Sequence, residues 1–300
     1  MAIVPTVGEC VEMKDDRGIA RRRFWGALVA VSALAACSSA ESTDDASSSA
    51  NDLVGGRPDA RWPAAGYLVH GATFDAAKRA PVSCGATLVA PNVVVTAAHC
   101  VLNASDDVWA FGTGDAGCES CGRSSMPVAV VSRQIHPQFH PAPEGRLDVK
   151  YYLRNFDVAT LVLAAPIRGI TPAALPTEKA AAGCDYHAIG YHTPQDGRTS
   201  RAQRVSANAC VEFNVNLGGD PIFEVHPTGN SALCHGDGDE GSPAIAGDPD
   251  MPLLHGIYVG SVTQGLTDCQ RGTQFLNGYE AMFGFRDFVE AGIVEGQKAL

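Results

Sequence analysis

Apolar residues follow several different spacings along this 300-residue chain. From Phe24 to Ala36 they run almost unbroken behind Arg21-Arg22-Arg23. That run is about 13 residues, too short for a bilayer core of roughly 30 Å but suited to the core of an export signal. Ser38 to Asp52 then offers almost nothing to bury, so a disordered Ser-rich tether is expected. Between Val82 and Cys100 two β-branched, apolar runs flank Ala90-Pro91-Asn92, a turn signal, which predicts a β-hairpin. Near the end, Phe285, Phe288, Val289 and Ile293 recur at helical spacing and predict a C-terminal helix. No other stretch is long and apolar enough for a membrane span.

Composition adds strand-and-turn character. Glycine (32) and proline (18) are plentiful but scattered, which favours many short strands and argues against collagen-like or helical repeats. A net charge of −11 with no basic stripe makes nucleic acid an unsuitable partner. Ten cysteines suit an oxidising compartment. Cys10 and Cys37 lie in the export segment, leaving eight, enough for four bridges.

Leu34-Ala35-Ala36-Cys37 resembles the lipobox of bacterial lipoproteins, a family in which the cysteine is lipidated and becomes the new N-terminus. An ordinary signal with a coincidental cysteine is the alternative. The segment before Arg21 is long for a basic leader, and Met13 is a second candidate start.

The hairpin closes in Thr96-Ala97-Ala98-His99-Cys100, and the whole string from Val82 resembles the first-barrel hairpin of trypsin-like serine peptidases. The resemblance implies a Cys84–Cys100 bridge and a catalytic role for His99. Leu53-Val54-Gly55-Gly56 is similar to the family's activation N-terminus, and Gln134-Ile135-His136-Pro137-Gln138-Phe139 to the strand entering the aspartate loop. Phe156 to Leu163 resembles the strand bearing the catalytic aspartate, here Asp157. An unpaired buried carboxylate there would be costly, and the resemblance implies the histidine ring as its partner. Leu253 to Gly260 resembles the strand lining the substrate cleft, although Val259-Gly260-Ser261 stands where the family has Ser-Trp-Gly. The implied fold is all-β: two six-stranded antiparallel Greek-key barrels and a short C-terminal helix. Residues 1–37 form the signal, 38–52 the tether and 53–300 the peptidase-like domain.

The pattern breaks at the nucleophile. In the Ser-His-Asp scheme histidine takes the serine proton, and main-chain N–H groups bind the oxyanion. The corresponding loop reads Cys234-His235-Gly236-Asp237-Gly238-Asp239-Glu240-Gly241-Ser242-Pro243. Aligned from its downstream side, it puts Glu240 in the nucleophile's place, Gly238 and Glu240 as oxyanion donors, and a duplicated Gly-Asp after Cys234. Aligned on Cys234, it puts Gly238 there instead. Neither register supplies serine, and the first is preferred because Asp239 and Gly241-Ser242-Pro243 then fit their neighbours. Ser242, two positions on, is the alternative nucleophile. Glu240 paired with His99 would favour the imidazolium and remove the base.

Other departures agree. Asn51-Asp52 precedes Leu53, so a trypsin-like activator would not cut, although Asp239 could receive a freed amine. Ala232, at the base of the specificity pocket with Val259 and Ser261 along its wall, offers no carboxylate to a basic side chain. Small or apolar groups are therefore expected in it. Position within the resemblance pairs Cys234 with Cys269, and Cys184 with Cys210. Cys118-Glu119-Ser120-Cys121 reads as a small-loop disulfide, with a redox or half-zinc motif as alternative. His70, His136, His140, His187, His192, His226, His235 and His255 show no metal-ligand spacing and read as surface or packing residues, with His235 at the cleft rim. The expectation is an envelope-displayed monomer without cofactor or metal. It would bind a protein or peptide in the cleft and meet the membrane only through a lipid anchor. The rival is a working secreted endopeptidase.

Overall fold

The expected hairpin is present as β3 (Cys84–Ala90) and β4 (Val93–Thr96), turning through Pro91 and Asn92. The computed structural model describes residues 53, 56–102, 107–116, 125–141, 155–192, 202–217, 219–228, 238–262 and 276–300. Signal, tether, Cys37, Cys118, Cys121, Ala232, Cys234, His235 and Cys269 lie outside them.

With β2 (Ala65–Gly71), β5 (Val108–Thr113), β6 (Ser125–Ile135) and β7 (Ala159–Leu163), the hairpin closes a six-stranded antiparallel barrel in the order β2-β3-β4-β7-β6-β5. The second barrel comprises β8 (Gly183–His192), β9 (Gln203–Leu217), β10 (Asp220–Pro227), β11 (Pro243–Asp248), β12 (Met251–Val262) and β13 (Leu276–Ala281). Its order is β9-β10-β13-β12-β11-β8, closed by β8 on β9, with the two-residue β1 (Arg57–Pro58) added outside β9. The expected pair of six-stranded barrels is thus borne out. All eleven of the β3 and β4 residues are buried, as their unbroken apolar runs require.

One apolar cluster runs from Leu88, Val94 and Leu161 in the first barrel to Ile257 and Val259 in the second, so the barrels share a core. The C-terminal helix α2 (Arg286–Lys298) begins where the sequence pattern does and runs one turn beyond it; α1 (Phe74–Ala77) is a single turn with no such pattern. Buried Asn92 in the hairpin turn donates through Nδ2 to the Gly296 carbonyl at 2.8 Å, pinning α2 to the first barrel.

The aspartate strand differs in detail from expectation. Phe156, Asp157 and Val158 stand ahead of β7. Phe156 has a φ of 51°, and its amide and that of Asp157 donate to side chains of the second barrel. A left-handed residue with side-chain acceptors cannot continue a ladder, so the strand starts at Ala159.

Candidate active site

The main chain after β4 turns into a short 3₁₀ segment, His99–Val101, which projects the His99 ring towards Asp157. The His99 amide donates to Asp157 Oδ1 at 2.8 Å, and its Nδ1–H donates to Oδ2 at 2.6 Å. Asp157 is fully buried, whereas the His99 side chain keeps 26% of its exposure. A carboxylate bonded at Nδ1 fixes the tautomer and leaves Nε2 as the atom available for proton transfer. Cys84 and Cys100 are bridged directly beneath this pair.

Glu240 comes from the second barrel. Its carbonyl accepts the Gly85 amide at 2.7 Å and lies 3.7 Å from Cys100 Sγ. The loop is clamped on its other side, where the Gly241 amide donates to the Tyr258 carbonyl and the Tyr258 amide to that of Ser242. Gly241 has a φ of +79°, and a methyl there would collide with Thr96 Oγ1 and the Gly85 carbonyl, so only glycine fits. Glu240, 4% exposed, thereby faces the His99 region, where its charge acts on the ring. Burial pulls the His99 pKa down, but the Asp157 charge, the hydrogen bond to it and the Glu240 charge outweigh burial and push it up to about 9.

The expected alternative nucleophile is turned away. Ser242 is 1% exposed, and its Oγ is buried without a hydrogen-bond partner against Gly85, whose missing Cβ would overlap it. Asp239 is fully buried, and its Oδ1 accepts the Tyr191 amide at 3.4 Å. Asp239 Oδ1 and Leu53 Cβ both lean over Gly190, so the residue that would carry a freed amine is already buried beside its expected receptor. Gly238 has a φ of +107° and is buried. Val259 is buried in β12, and Ser261 on the same strand stands opposite Asn277. The Cys184–Cys210 bridge is present between β8 and β9.

Two residues escaped the sequence reading. Buried Glu280, on β13, accepts the Asp157 amide through Oε1 at 2.9 Å, and buried Asp220, opening β10, accepts the Phe156 amide through Oδ2 at 3.0 Å. Acidic residues in strands ordinarily read as solvent-facing, and no local pattern marks these as interior.

For metals, the described residues bring together Cys84, His99 and Cys100, but the two sulfurs are bridged and supply no thiolate. Glu212 on β9 and Glu224 and His226 on β10 also converge, with His226 Nε2 at 2.7 Å from Glu224 Oε1. His226 therefore lies against the Glu224 carboxylate, a grouping that histidine spacing alone could not reveal because Glu212 belongs to the neighbouring strand.

A family model described as Trypsin matches residues 61–289. The vitellin-degrading protease of Bombyx mori is 27% identical over 218 residues, covering 70% of this chain and 76% of that protein. Trypsin of Saccharopolyspora erythraea is 25% identical over 193 residues, covering 63% and 77%. Serine protease Hayan of Drosophila melanogaster is 28% identical over 233 residues, covering 70% of this chain but only 34% of its own length. The structure of neuropsin, a serine protease of mouse brain, superposes with a TM-score of 0.57 at 15% identity, covering 80% of this chain and 99% of neuropsin, which shows a shared fold.

Proposed function

This chain belongs to the trypsin family of serine peptidases, and from that premise we propose that it is an exported member without ordinary peptidase chemistry, using the cleft between its barrels to bind a protein or peptide. The observation that carries the reading is the position of Glu240 against Gly85 and the Cys84–Cys100 bridge, with its charge on His99. A carboxylate is a poor acyl acceptor, because its product is a labile anhydride. With its pKa at about 9, His99 is mainly imidazolium at neutral pH and cannot take a proton. Asp157, by its charge and its hydrogen bond, holds the proton on His99, and the Glu240 charge adds to that hold.

Export is supported by the apolar Phe24–Ala36 run and by the two described disulfides, which suit an oxidising compartment. Leu34-Ala35-Ala36-Cys37 supports lipid attachment at Cys37, with Ser38–Asp52 as the spacer. Among the described residues, no helix is long and apolar enough to cross a membrane.

The test is a serine-reactive phosphonate, which requires an activated hydroxyl and no knowledge of substrate. The purified protein is expected to remain unlabelled. Labelling that disappears in Ser242→Ala would establish the rival reading, an active endopeptidase. The sealed, cleft-averse position of the Ser242 hydroxyl counts against it.

A further inference from the structure

Beneath the His99–Asp157 pair, consecutive amides of the first barrel meet two acids of the second. The Phe156 N–H donates to Asp220 Oδ2 and the Asp157 N–H to Glu280 Oε1. Each acid has a second oxygen, Asp220 Oδ1 and Glu280 Oε2, that is buried and accepts from no N–H or O–H of the described residues. The two carboxyl groups nevertheless lie side by side, close enough for a hydrogen bond between them. Two carboxylates contain no donor, so such a bond requires a proton on one of them. Buried polar oxygens also need a partner, and one shared proton satisfies both at once.

We propose that Asp220 and Glu280 share a single proton and so form a clasp, closing a ring through the Phe156 and Asp157 amides, that holds the turn carrying Asp157 and thereby orients His99. Glu280 is a positioning residue in this arrangement. It touches neither ligand nor His99 and acts through the main chain of Asp157. The clasp also accounts for Phe156, whose left-handed backbone costs on the order of 1–3 kcal/mol and needs support from its surroundings. That support comes from Asp220 below and from the Phe156 ring, which stacks on His136 with centroids 5.3 Å apart and meets Phe285 edge-on.

The charged group facing both acids is Asp157, with His99 on its far side. His136, beside the Phe156 ring, is held towards its neutral form by burial. Burial pushes the Glu280 pKa well above the usual carboxylate range, helped by the charge of Asp220 and the hydrogen bond to it. Burial likewise raises Asp220, and the Asp157 charge adds to this. Losing the proton would place three carboxylates together in the interior. Because the folded pKa is raised, the clasp's contribution is complete below the ordinary carboxylate range. It falls as pH climbs towards the clasp's own value and is lost beyond it.

The test reads folding and spectroscopy of the full chain, so it stands whether or not the protein cleaves peptides. In Glu280→Gln the amide can both accept the Asp157 N–H and donate to Asp220, without titrating. This variant should fold, retain the exchange-protected His99 Nδ1 proton in NMR spectra, and lose part of the parent's fall in stability between pH 5 and 9. The part lost should be up to tenfold in the unfolding constant per pH unit, the slope for one proton. Glu280→Ala should lose the Nδ1 resonance. The parent should show an infrared carboxylic-acid band at neutral pH that vanishes in alkali and is missing from Glu280→Gln. The proposal is overturned if the parent lacks that band, if the band persists in Glu280→Gln, if that variant keeps the parent's pH slope, or if it is as damaged as Glu280→Ala.

Discussion

Gly85 donates its amide proton to the carbonyl oxygen of Glu240 at 2.7 Å, so the main chain at residue 240 is bound to the first barrel independently of its side chain. Gly241 and Tyr258 hold the adjoining peptide from the other side. A main chain held from both sides at residues 240–242 should tolerate exchange of the Glu240 side chain without moving, which makes the site open to direct chemical tests.

The first test restores a hydroxyl. Glu240→Ser with deletion of Gly236-Asp237, in protein cut before Leu53, should acquire phosphonate labelling and lose it again with His99→Ala. Glu240→Ser alone should react about 100–1,000-fold more slowly, the effect expected of one lost oxyanion donor. Failure of the double change to react at all would show that more than the nucleophile is missing.

Removing the Glu240 charge should loosen the proton on His99. In Glu240→Gln the His99 pKa should fall below about 9 but stay raised, because the larger causes, the Asp157 charge and its hydrogen bond, remain; NMR titration of the ring protons reads the change. The raised value means that stability from this site is complete below about pH 6.5 and is lost as pH rises through 9. Between those limits the folding constant should fall by up to about tenfold, or about 1.4 kcal/mol, for each pH unit crossed. An unaltered titration would remove Glu240 as a cause.

Ser242→Ala should leave stability unchanged or slightly increased in urea melts. Its Oγ is buried with no partner, a state that costs about 1–3 kcal/mol, and the substitution removes the hydroxyl while keeping the methylene against Gly85. A marked loss of stability would reveal a bond to that hydroxyl.

Cys100→Ser should cost about 2–5 kcal/mol and lower the yield of folded protein, as expected for a bridge in a domain of this kind. Peptide mapping without reduction should recover Cys84 linked to Cys100 and Cys184 linked to Cys210.

Cys37→Ala should abolish fatty-acid incorporation and move the protein from membranes to the soluble fraction. Membrane association that survives the substitution, with no lipid label in the parent, would sink the anchor.

The parts visible in sequence were those with local patterns. The Val82–Cys100 hairpin announces itself by two β-branched runs around Pro91-Asn92, and His99 follows it directly. Asp157 stood out as a polar residue at the mouth of an apolar strand. Glu280 and Asp220 were illegible because their meaning depends on tertiary pairing: each needs the Phe156–Asp157 turn above it and the other acid beside it. The fate of Ser242 was equally hidden, since only the bare Gly85 on a distant strand shows that the hydroxyl is sealed. Leu53 shows the same limit, for its burial beside Asp239 rests on Gly190.

Asn92 and Gly296 are bonded across 204 residues of chain. A polypeptide made from its N-terminus presents the Asn92 amide, and the barrel face around it, long before the acceptor has been synthesised. A clipped or prematurely ended product lacks this bond and leaves the Asn92 end of the first barrel uncovered. The first barrel is in this sense sealed by the final turns of the chain, and molecules lacking them should be easier for proteases to degrade than finished ones.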